Sequence, residues 1–291
     1  DRTSRSLRVR AVGMSDLHSI NEAINKRAGR KLLPSIGVGI VILGFVIGSL
    51  SFFDRILFVL LALAFVYRGI WEMDRALSRA NIDICNSLYL TSTVIFLAAW
   101  FEGIAGIAVA TALTVPFTLV AILTRGPKDF VKNAFASIFT LAYIPFLASF
   151  LLVMAKEEDG LRRIMTLVVL VACNDTFGYI FGVLLGKHKI APTISPKKSW
   201  EGLIGSVIFT AIGGSLMFST YFDQAWWVGA LVGLGAVVTA TSGDFIESAI
   251  KRDLDVKDMG ALLPGHGGVL DRLDSVLLTS PFIWALLNLV G

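Results

Sequence analysis

Acidic residues in the last third of the chain recur at helical spacing within a stretch that is otherwise apolar. The segment T-S-G-D-F-I-E-S-A-I-K-R-D places Asp244, Glu247, Ser248 and Lys251 at positions i, i+3, i+4 and i+7. This spacing predicts one polar stripe along a helix. Carboxylates on an apolar helix need partners, and a divalent cation with oxygen ligands would meet that need, whereas Lys251 could meet only part of it.

A second acidic stripe follows a glycine-rich turn. The turn, residues 264–268, reads P-G-H-G-G and exposes backbone amides that can approach a phosphate closely. The next helix begins with Asp271 and Asp274, which share a face with Ser275. Asp244 and Asp271 therefore bring carboxylates to one end of two helices, with Lys and Arg residues nearby, which predicts a magnesium–phosphate site. The alternative, a salt-bridged loop that closes the two helices, does not explain the glycines.

Two further polar elements precede these stripes. In I-S-P-K-K-S-W-E-G, Lys197 and Lys198 lie just before a helix start, whose partial positive charge favours anions. Ser195 or Ser199 could cap that helix, and Glu201 falls in or near its first turn. Such a turn suits a polyphosphate, although paired lysines are also ordinary topology signals.

Asp175 lies in the middle of an apolar run, where a carboxylate costs several kcal/mol unless it faces protein, water or a cation. It shares a helix face with Tyr179. An interhelical hydrogen bond is the alternative to a place in the site.

The elements that must position these residues are membrane helices. Hydrophobic residues make up 55% of the 291 residues and charged residues 16%, against about 25% charged residues in soluble domains. The composition excludes a soluble globule, and the long apolar runs exclude a membrane β-barrel. Runs of about 20 apolar residues predict an all-α polytopic membrane protein with about nine helices. The predicted spans are Leu33–Phe53, Ile56–Trp71, Leu88–Phe101, Gly103–Thr124, Ala134–Ala155, Ile164–Leu185, Leu203–Phe222, Trp226–Ile250 and Leu273–Val290.

The basic residues predict the orientation. A cytoplasmic N-terminus places 22 of the 26 Lys and Arg residues on the cytoplasmic side and leaves Arg55, Lys156, Arg162 and Arg163 opposite. This asymmetry indicates an N-in, C-out topology. The first apolar run is long enough to remain a helix and is not expected to be a cleaved signal peptide. We therefore expect a basic cytoplasmic arm over 1–31, a scaffold of about five helices over 32–163 and a catalytic region of about four helices over 164–291.

The motifs resemble those of the phosphatidate cytidylyltransferases, also called CDP-diacylglycerol synthases. The family signature is S-x-φ-K-R-x4-K-D-x-small-x2-φ-P-x-H-G-G-φ-x-D-R-φ-D, where φ is an apolar residue. The segment Ser248–Asp274, S-A-I-K-R-D-L-D-V-K-D-M-G-A-L-L-P-G-H-G-G-V-L-D-R-L-D, is similar to it at every position that the signature specifies. The element S-P-K-K-S-W-E-G resembles the family's S-P-K-K-T-x-E-G, with Ser199 in place of Thr. N-D-T-F-G-Y resembles D-x-x-A-Y, with Gly178 in place of Ala. The resemblance is strong over Val171–Asp274, and the earlier spans match only in hydrophobicity and number.

The resemblance implies that CTP and phosphatidate react to CDP-diacylglycerol and pyrophosphate by attack of the lipid phosphate on the α-phosphorus of CTP. It implies that Mg²⁺ is the cofactor and leaves open whether a second, monovalent cation binds as well. The implied site lies on the cytoplasmic side of the cell (inner) membrane. The implied metal ligands are Asp244, Asp271, Glu247 and Asp274. The implied catalytic residues are Lys251, Arg252, Asp258, His266 and Arg272. The implied substrate-binding residues are Ser195, Lys197, Lys198, Ser199, Glu201, Lys257, Gly267, Gly268 and Asp175.

The implied partners are CTP, phosphatidate and membrane lipid. The resemblance leaves open whether the protein forms a homodimer, and it implies no nucleic-acid partner. Related membrane transferases are the first alternative: a CTP-dependent polyprenol kinase or a CDP-archaeol synthase would share the nucleotide chemistry and differ in the lipid cavity. The D-G-x2-A-R…G-x3-D-x3-D pattern of the CDP-alcohol phosphotransferases is absent. A transporter is the second alternative, but its halves often repeat, whereas the acids here cluster in the last third of the chain. Residues before about 170 are accordingly expected to be scaffold, with Arg68 extending to the membrane interface.

Overall fold

The computed structural model describes residues 44–51, 55–260 and 267–290, and most of these residues are helical. Residues 44–51 are helical, and the remaining helices run in chain order as follows: α1 Ile56–Ser78, α2 Ser87–Leu123, α3 Phe130–Leu141, α4 Leu147–Lys156, α5 Gly160–Leu185, α6 Trp200–Tyr221, α7 Trp226–Asp253 and α8 Leu270–Val290. Seven segments in the described part are long and apolar enough to cross a membrane. The prediction of an all-α membrane protein is confirmed. The count of nine helices stays a prediction, since most of the first predicted span and the arm over 1–31 lie outside the described residues.

The helix α2 contains two of the predicted spans. Its backbone leaves the helical conformation at Gly103, where φ is 61° and ψ is −139°, a region that residues with a Cβ rarely adopt. Leu90 and Val94, before this break, line the same cavity as Leu113 and Phe117, after it. The two halves of α2 therefore fold back on each other, and the break lies at the boundary predicted between the third and fourth spans.

The helices α3 and α4 are joined by a π-helical turn, Ala142–Phe146, which contains Pro145. Proline has no backbone N–H and cannot make the regular α-helical hydrogen bond, and a wider turn accommodates it. Together these three elements form one candidate membrane span, Phe130–Lys156.

The most extensive helix packing joins α5 to α6 and α6 to α7, and glycines allow it. A Cβ added to Gly214 of α6 would overlap the carbonyl of Gly229 in α7. A Cβ added to Gly202 of α6 would crowd the backbone of Gly178 and Gly182 in α5. Small residues let membrane helices approach closely, which increases their van der Waals contact. The C-terminal helices thus form a closely packed frame.

A two-stranded antiparallel hairpin connects α5 to α6. Its strands are β1 Lys189–Ala191 and β2 Ser195–Ser199, with Lys189 opposite Ser199. The sequence analysis predicted no strand before this helix, so the hairpin is an addition to the predicted elements. The predicted cap is present: Gly202 N–H donates to Ser199 Oγ at 3.2 Å, at the start of α6. The hairpin therefore ends directly in the helix cap.

Basic side chains that were predicted to lie outside the cytoplasm meet at one end of the helices. Arg55 donates to the carbonyl oxygen of Lys156 at 2.8 Å, and Lys156 Nζ donates to the carbonyl of Phe101 at 3.0 Å. Arg162 donates to the carbonyl of Tyr221 at 3.4 Å. Their grouping agrees with the predicted arrangement of loops, while the orientation in a membrane and the division at residue 163 stay predictions.

Candidate active site

The polar stripe predicted on α7 forms in the structure. Asp244 has a side chain that is 36% exposed, and Ser248 Oγ donates to its Oδ1 at 3.3 Å. Glu247 is almost completely buried, at 1% exposure, and its carboxylate forms an ion pair with Lys251 one turn later. The stripe therefore runs from an open carboxylate to a buried one.

The helix α8 brings a third carboxylate to this stripe. The absence of a side chain at Gly243 lets α7 approach the backbone of Asp274, since a Cβ there would overlap its carbonyl. Asp244, Glu247 and Asp274 each offer a carboxylate oxygen, and these atoms lie within 4.8 Å of one another. Among the described residues, Glu247 Oε1 is buried without a hydrogen-bond partner. Three close carboxylates with one unpartnered oxygen form a donor set that suits a divalent cation.

Asp271 lies beside this group and has a different environment. Its Oδ1 accepts from Lys251 Nζ at 2.9 Å, and Oδ2 accepts from the backbone N–H of Met259 at 3.0 Å and of Gly268 at 2.7 Å. Gly267, just before, has a φ of 81°, a conformation that favours glycine. Asp271 thus ties the segment after α7 to the start of α8, and Lys251 connects it to the carboxylate group. Its predicted role as a metal ligand stays a prediction.

The hairpin contributes Lys198 to the same group. Lys198 Nζ lies 2.8 Å from Asp244 Oδ2 and 4.4 Å from the ring of Phe245. Ser195 starts β2 opposite Ala191. Lys197 is exposed and forms no ion pair within the described residues. Of the two predicted lysines, the structure therefore brings one into contact with the carboxylates.

Asp175 lies midway along α5, within a candidate membrane span. Its Oδ1 accepts from Asn174 Nδ2 at 2.9 Å, and Asn174 Oδ1 in turn accepts from Thr241 Oγ1 of α7 at 3.3 Å. Asp175 also interacts electrostatically with Asp244 and Arg272. The helix α5 therefore faces the site with both an interhelical hydrogen bond and a further carboxylate.

Two of the predicted residues instead contact the hairpin and its flank. Glu201 accepts from the backbone N–H of His188 at 3.3 Å and lies 2.7 Å from His188 Nδ1. Arg252 Nε donates to the carbonyl of Ile194 at 3.4 Å. Both contacts fasten the hairpin, which holds Lys198 near Asp244.

The remaining predicted residues lie after α7. Lys257 and Asp258 are exposed and form no ion pair within the part of the chain that the structure describes. Arg272 is in the first turn of α8. His266 lies outside the described residues.

Two site-proximal residues were not predicted from the sequence. Glu72 in α1 is completely buried, 3.1 Å from Arg68 Nε, and its Oε2 accepts from the backbone N–H of Leu270 at 2.9 Å. Tyr143, on the π-helical turn, is 5% exposed, its hydroxyl has no hydrogen-bond partner among the described residues, and it interacts electrostatically with Asp274. The expectation that residues before about 170 are scaffold stays a prediction. An acid four residues after an arginine could have indicated the pair with Arg68, but no spacing indicates contact with residue 270.

The apolar helices and the carboxylate–lysine group define a membrane protein with an ionic site among its C-terminal helices. Residues 35–290 match the Cytidylyltransferase family. The chain therefore belongs to the cytidylyltransferase family, and it is a nucleotidyltransferase.

Bacterial relatives extend this match along the chain. The phosphatidate cytidylyltransferase of Mycobacterium leprae (strain TN) is 36% identical over 281 residues, which cover 91% of this chain and 90% of that protein. The protein of that name from Mycobacterium bovis (strain ATCC BAA-935 / AF2122/97) is 34% identical over 279 residues, with 91% and 90% covered. That of Staphylococcus haemolyticus (strain JCSC1435) is 36% identical over 189 residues, or 64% of this chain and 72% of that protein. The family resemblance inferred from the motifs is confirmed.

Proposed function

We propose that the chain transfers the cytidylyl group of CTP to phosphatidate, with release of pyrophosphate. The observation that carries this proposal is the contact between the carboxylates of Asp244 and Glu247 and the ammonium groups of Lys198 and Lys251 at one end of the C-terminal helices. The names of the relatives support the substrates. The polyprenol kinase and CDP-archaeol synthase alternatives share this ionic chemistry, but no relative named above supports them.

A divalent cation, Mg²⁺, is part of the proposal. Hard carboxylate oxygens are the ligands that Mg²⁺ prefers, and Asp244, Glu247 and Asp274 supply three within reach of one another. The unpartnered Glu247 Oε1 also favours a cation there. Asp271 is proposed as a further ligand, and a monovalent cation remains open. When bound, the cation would neutralise negative charge on the transferring phosphate.

The reaction asks this chain mainly for positioning and charge neutralisation. A phosphate oxygen of phosphatidate forms a bond to the α-phosphorus of CTP, and the bond from that phosphorus to the pyrophosphate oxygen breaks. The attacking oxygen is already ionised at neutral pH, so no general base is needed. The barrier comes from repulsion between two polyanions, and fixed positive groups lower it.

The lysines of the site would supply those positive groups. Lys198 and Lys251 already contact carboxylates, which fix their ammonium groups before substrate arrives. Preorganised charges stabilise a transition state without reorganising during the reaction. Lys197 and Lys257 are exposed without ion pairs among the described residues and would bind phosphate oxygens at the mouth of the site. Arg252, Asp258, Arg272, Ser195, Ser199, Glu201 and the 266–268 turn complete the proposed set.

We place the site on the cytoplasmic side of the cell membrane, where CTP is available. The asymmetry of the basic residues supports this orientation. Asp175 lies midway along an apolar helix and its neighbour Asn174 bonds to Thr241 of α7; a carboxylate at that depth favours a polar surface, which a lipid phosphate could approach sideways. A homodimer is compatible with this arrangement, and no nucleic-acid partner is expected.

The test is a transfer assay with purified protein, labelled CTP, Mg²⁺ and phosphatidate, scored for both pyrophosphate and CDP-diacylglycerol. We expect the two products in equal amounts. Asp159→Asn, in a carboxylate that pairs with Arg163 away from the site, is the matched control and should retain turnover. Formation of phosphorylated polyprenol, with no CDP-lipid from any phosphatidate, would replace the proposal with the kinase alternative. If Asp271→Asn keeps near-normal turnover at saturating Mg²⁺, Asp271 is not a metal ligand.

A further inference from the structure

Glu72 is a buried carboxylate in the N-terminal half of the chain that the proposed chemistry does not use. It lies in α1, and its side chain is 0% exposed. Its ion-pair partner, Arg68, is 29% exposed and stacks over the ring of Trp71 at 4.0 Å. Burying a carboxylate costs free energy that an ion pair often fails to recover, and apolar residues of similar volume usually fill such a position equally well. A charge here therefore calls for a specific partner.

That partner is the start of α8. Glu72 Oε2 accepts from the backbone N–H of Leu270 at 2.9 Å. The first N–H groups of a helix have no partner within the helix, and a negative charge beside them is also favoured by the helix dipole. One carboxylate oxygen of Glu72 therefore fixes the first residue of α8 from a helix almost 200 residues earlier in the chain.

The same carboxylate contacts the two glycines that flank residues 261–266. A Cβ added to Gly260 would overlap Glu72 Oε1, and one added to Gly268 would overlap Glu72 Oε2. The two glycines therefore leave the space that the Glu72 carboxylate occupies. The carboxylate thus lies next to both Gly260 and Gly268.

These contacts lead directly to the site. The N–H of Gly268 donates to Asp271 Oδ2 at 2.7 Å, and Asp271 Oδ1 accepts from Lys251 Nζ at 2.9 Å. A displacement of Gly268 or Leu270 would therefore move Asp271 and release Lys251 from one of its two carboxylates.

We infer that Glu72 is a positioning residue of the active site: from α1 it fixes Gly260, Gly268 and the N-terminus of α8, and through them Asp271 and Lys251. This inference rests on the proposed function for its effect on turnover. Its structural part, the contact of Glu72 with Gly260, Gly268 and Leu270, stands independently.

The first test uses Glu72→Gln, which keeps the shape and removes the charge, with Glu102→Gln as the matched control. Glu102 is an exposed carboxylate in α2 near Gly103. Hydrogen exchange is followed in detergent without substrates, and kcat and KM are measured with CTP and phosphatidate. For Glu72→Gln we expect exchange over residues 256–272 to rise about tenfold, with exchange in α2 unchanged. We expect kcat to fall about ten- to a hundredfold with little change in the KM for phosphatidate, and Glu102→Gln to match the unaltered protein.

Two results would overturn the inference. One is unchanged exchange over 256–272 in Glu72→Gln. The other is faster exchange with unchanged kcat, which would make Glu72 a residue of fold stability alone. If the unaltered protein forms no CDP-lipid, the proposed function fails, whereas the exchange experiment still decides whether Glu72 holds Gly268 and Leu270 in place.

A second pair of variants tests the contact if Glu72→Gln does not fold. Gly260→Ala places a methyl group whose nearest atoms all belong to the Glu72 side chain, and Glu72→Asp shortens that side chain by one methylene. We expect Gly260→Ala to lower kcat and the double variant Gly260→Ala/Glu72→Asp to recover part of the loss. Residues in contact show such non-additivity. Losses that simply add would contradict the inference.

Discussion

The lysines of the candidate site differ in their partners from several basic side chains in the N-terminal half of the molecule. In α1–α4 and their connections, Arg55 contacts the main-chain carbonyl oxygen of Lys156 at 2.8 Å, and Lys132 that of Asn81 at 2.9 Å. In α5–α8, Lys198 and Lys251 contact carboxylates. The first arrangement caps helix ends, while the second holds opposite charges together among apolar helices. In this chain, a basic residue that pairs with a carboxylate among apolar helices is therefore a better candidate for a functional role than one that contacts a main-chain carbonyl.

In α1, Arg68 contacts a carboxylate, that of Glu72, and not a main-chain carbonyl. Glu72 also contacts the start of α8. Hydroxyl groups bridge helices in both halves: Tyr67 Oη of α1 lies 2.6 Å from Thr93 Oγ1 of α2, and Thr241 of α7 donates to Asn174 of α5.

The largest expected effect comes from the carboxylate group. Glu247→Gln or Asp244→Asn removes one negative charge from three close carboxylates, and we expect kcat for CDP-lipid formation to fall about 10²- to 10³-fold. Asp159→Asn, measured in the same assay at saturating Mg²⁺, should keep kcat within about twofold, because its partner Arg163 lies away from the site. A similar loss of kcat in Asp159→Asn and in the site variants would show that the carboxylates of the site are no more important for turnover than a carboxylate away from it.

The second effect concerns stability. Lys251→Met leaves Glu247 and Asp271 without their shared cation, and breaking a buried ion pair typically costs about 3–5 kcal/mol. Lys132→Met, which removes only hydrogen bonds to exposed carbonyls, should cost about 1 kcal/mol or less. Thermal unfolding in detergent measures both. An equal Tm for the two variants would show that burial of the pair contributes nothing.

A third prediction tests the close packing that frames the site. Gly214→Ala places a methyl group against the carbonyl of Gly229, and such overpacking costs about 1–3 kcal/mol. Gly48→Ala, at a helical position with no atom within 4 Å of the added methyl group, should leave the Tm unchanged or slightly higher. We expect the Tm of Gly214→Ala to be clearly lower. A Tm equal to that of Gly48→Ala would show that α6 and α7 are not in contact there.

The smallest expected effect lies at the opposite end of the helices. Arg55→Ala removes the donors that bind the carbonyls of Ala155 and Lys156, and a net loss of about 1 kcal/mol follows for such hydrogen bonds. The Tm should fall slightly, and turnover per folded molecule should not change. A selective loss of turnover would mean that this end of the helices also serves the reaction.

Much of this arrangement could be predicted because it depends on local pattern. The apolar runs indicate the helices, the break at Gly103 separates two of them, and the spacing of Asp244, Glu247 and Lys251 indicates their shared face. The Ser199 cap follows from residue type and position. Each of these features is decided by residues within a few turns of one another.

The features that escaped prediction depend on contacts between distant residues. The hairpin over 189–199 has no alternating apolar pattern, and its register is stabilised by contacts such as that of Glu201 with His188. Glu72 meets Leu270 only after the helices have packed. Tyr143 lies on the π-helical turn that contains Pro145, a local irregularity that residue spacing does not specify.

The most direct measurement of the central claim is a Mg²⁺ titration of CDP-diacylglycerol formation from CTP and phosphatidate, with the unaltered protein and with Asp244→Asn. We predict that chelation of divalent cations abolishes turnover of the unaltered protein, that Mg²⁺ restores it, and that Asp244→Asn needs far more Mg²⁺ or does not recover. Full turnover in the presence of the chelator, or the same Mg²⁺ dependence in both proteins, would contradict a cation site at these carboxylates.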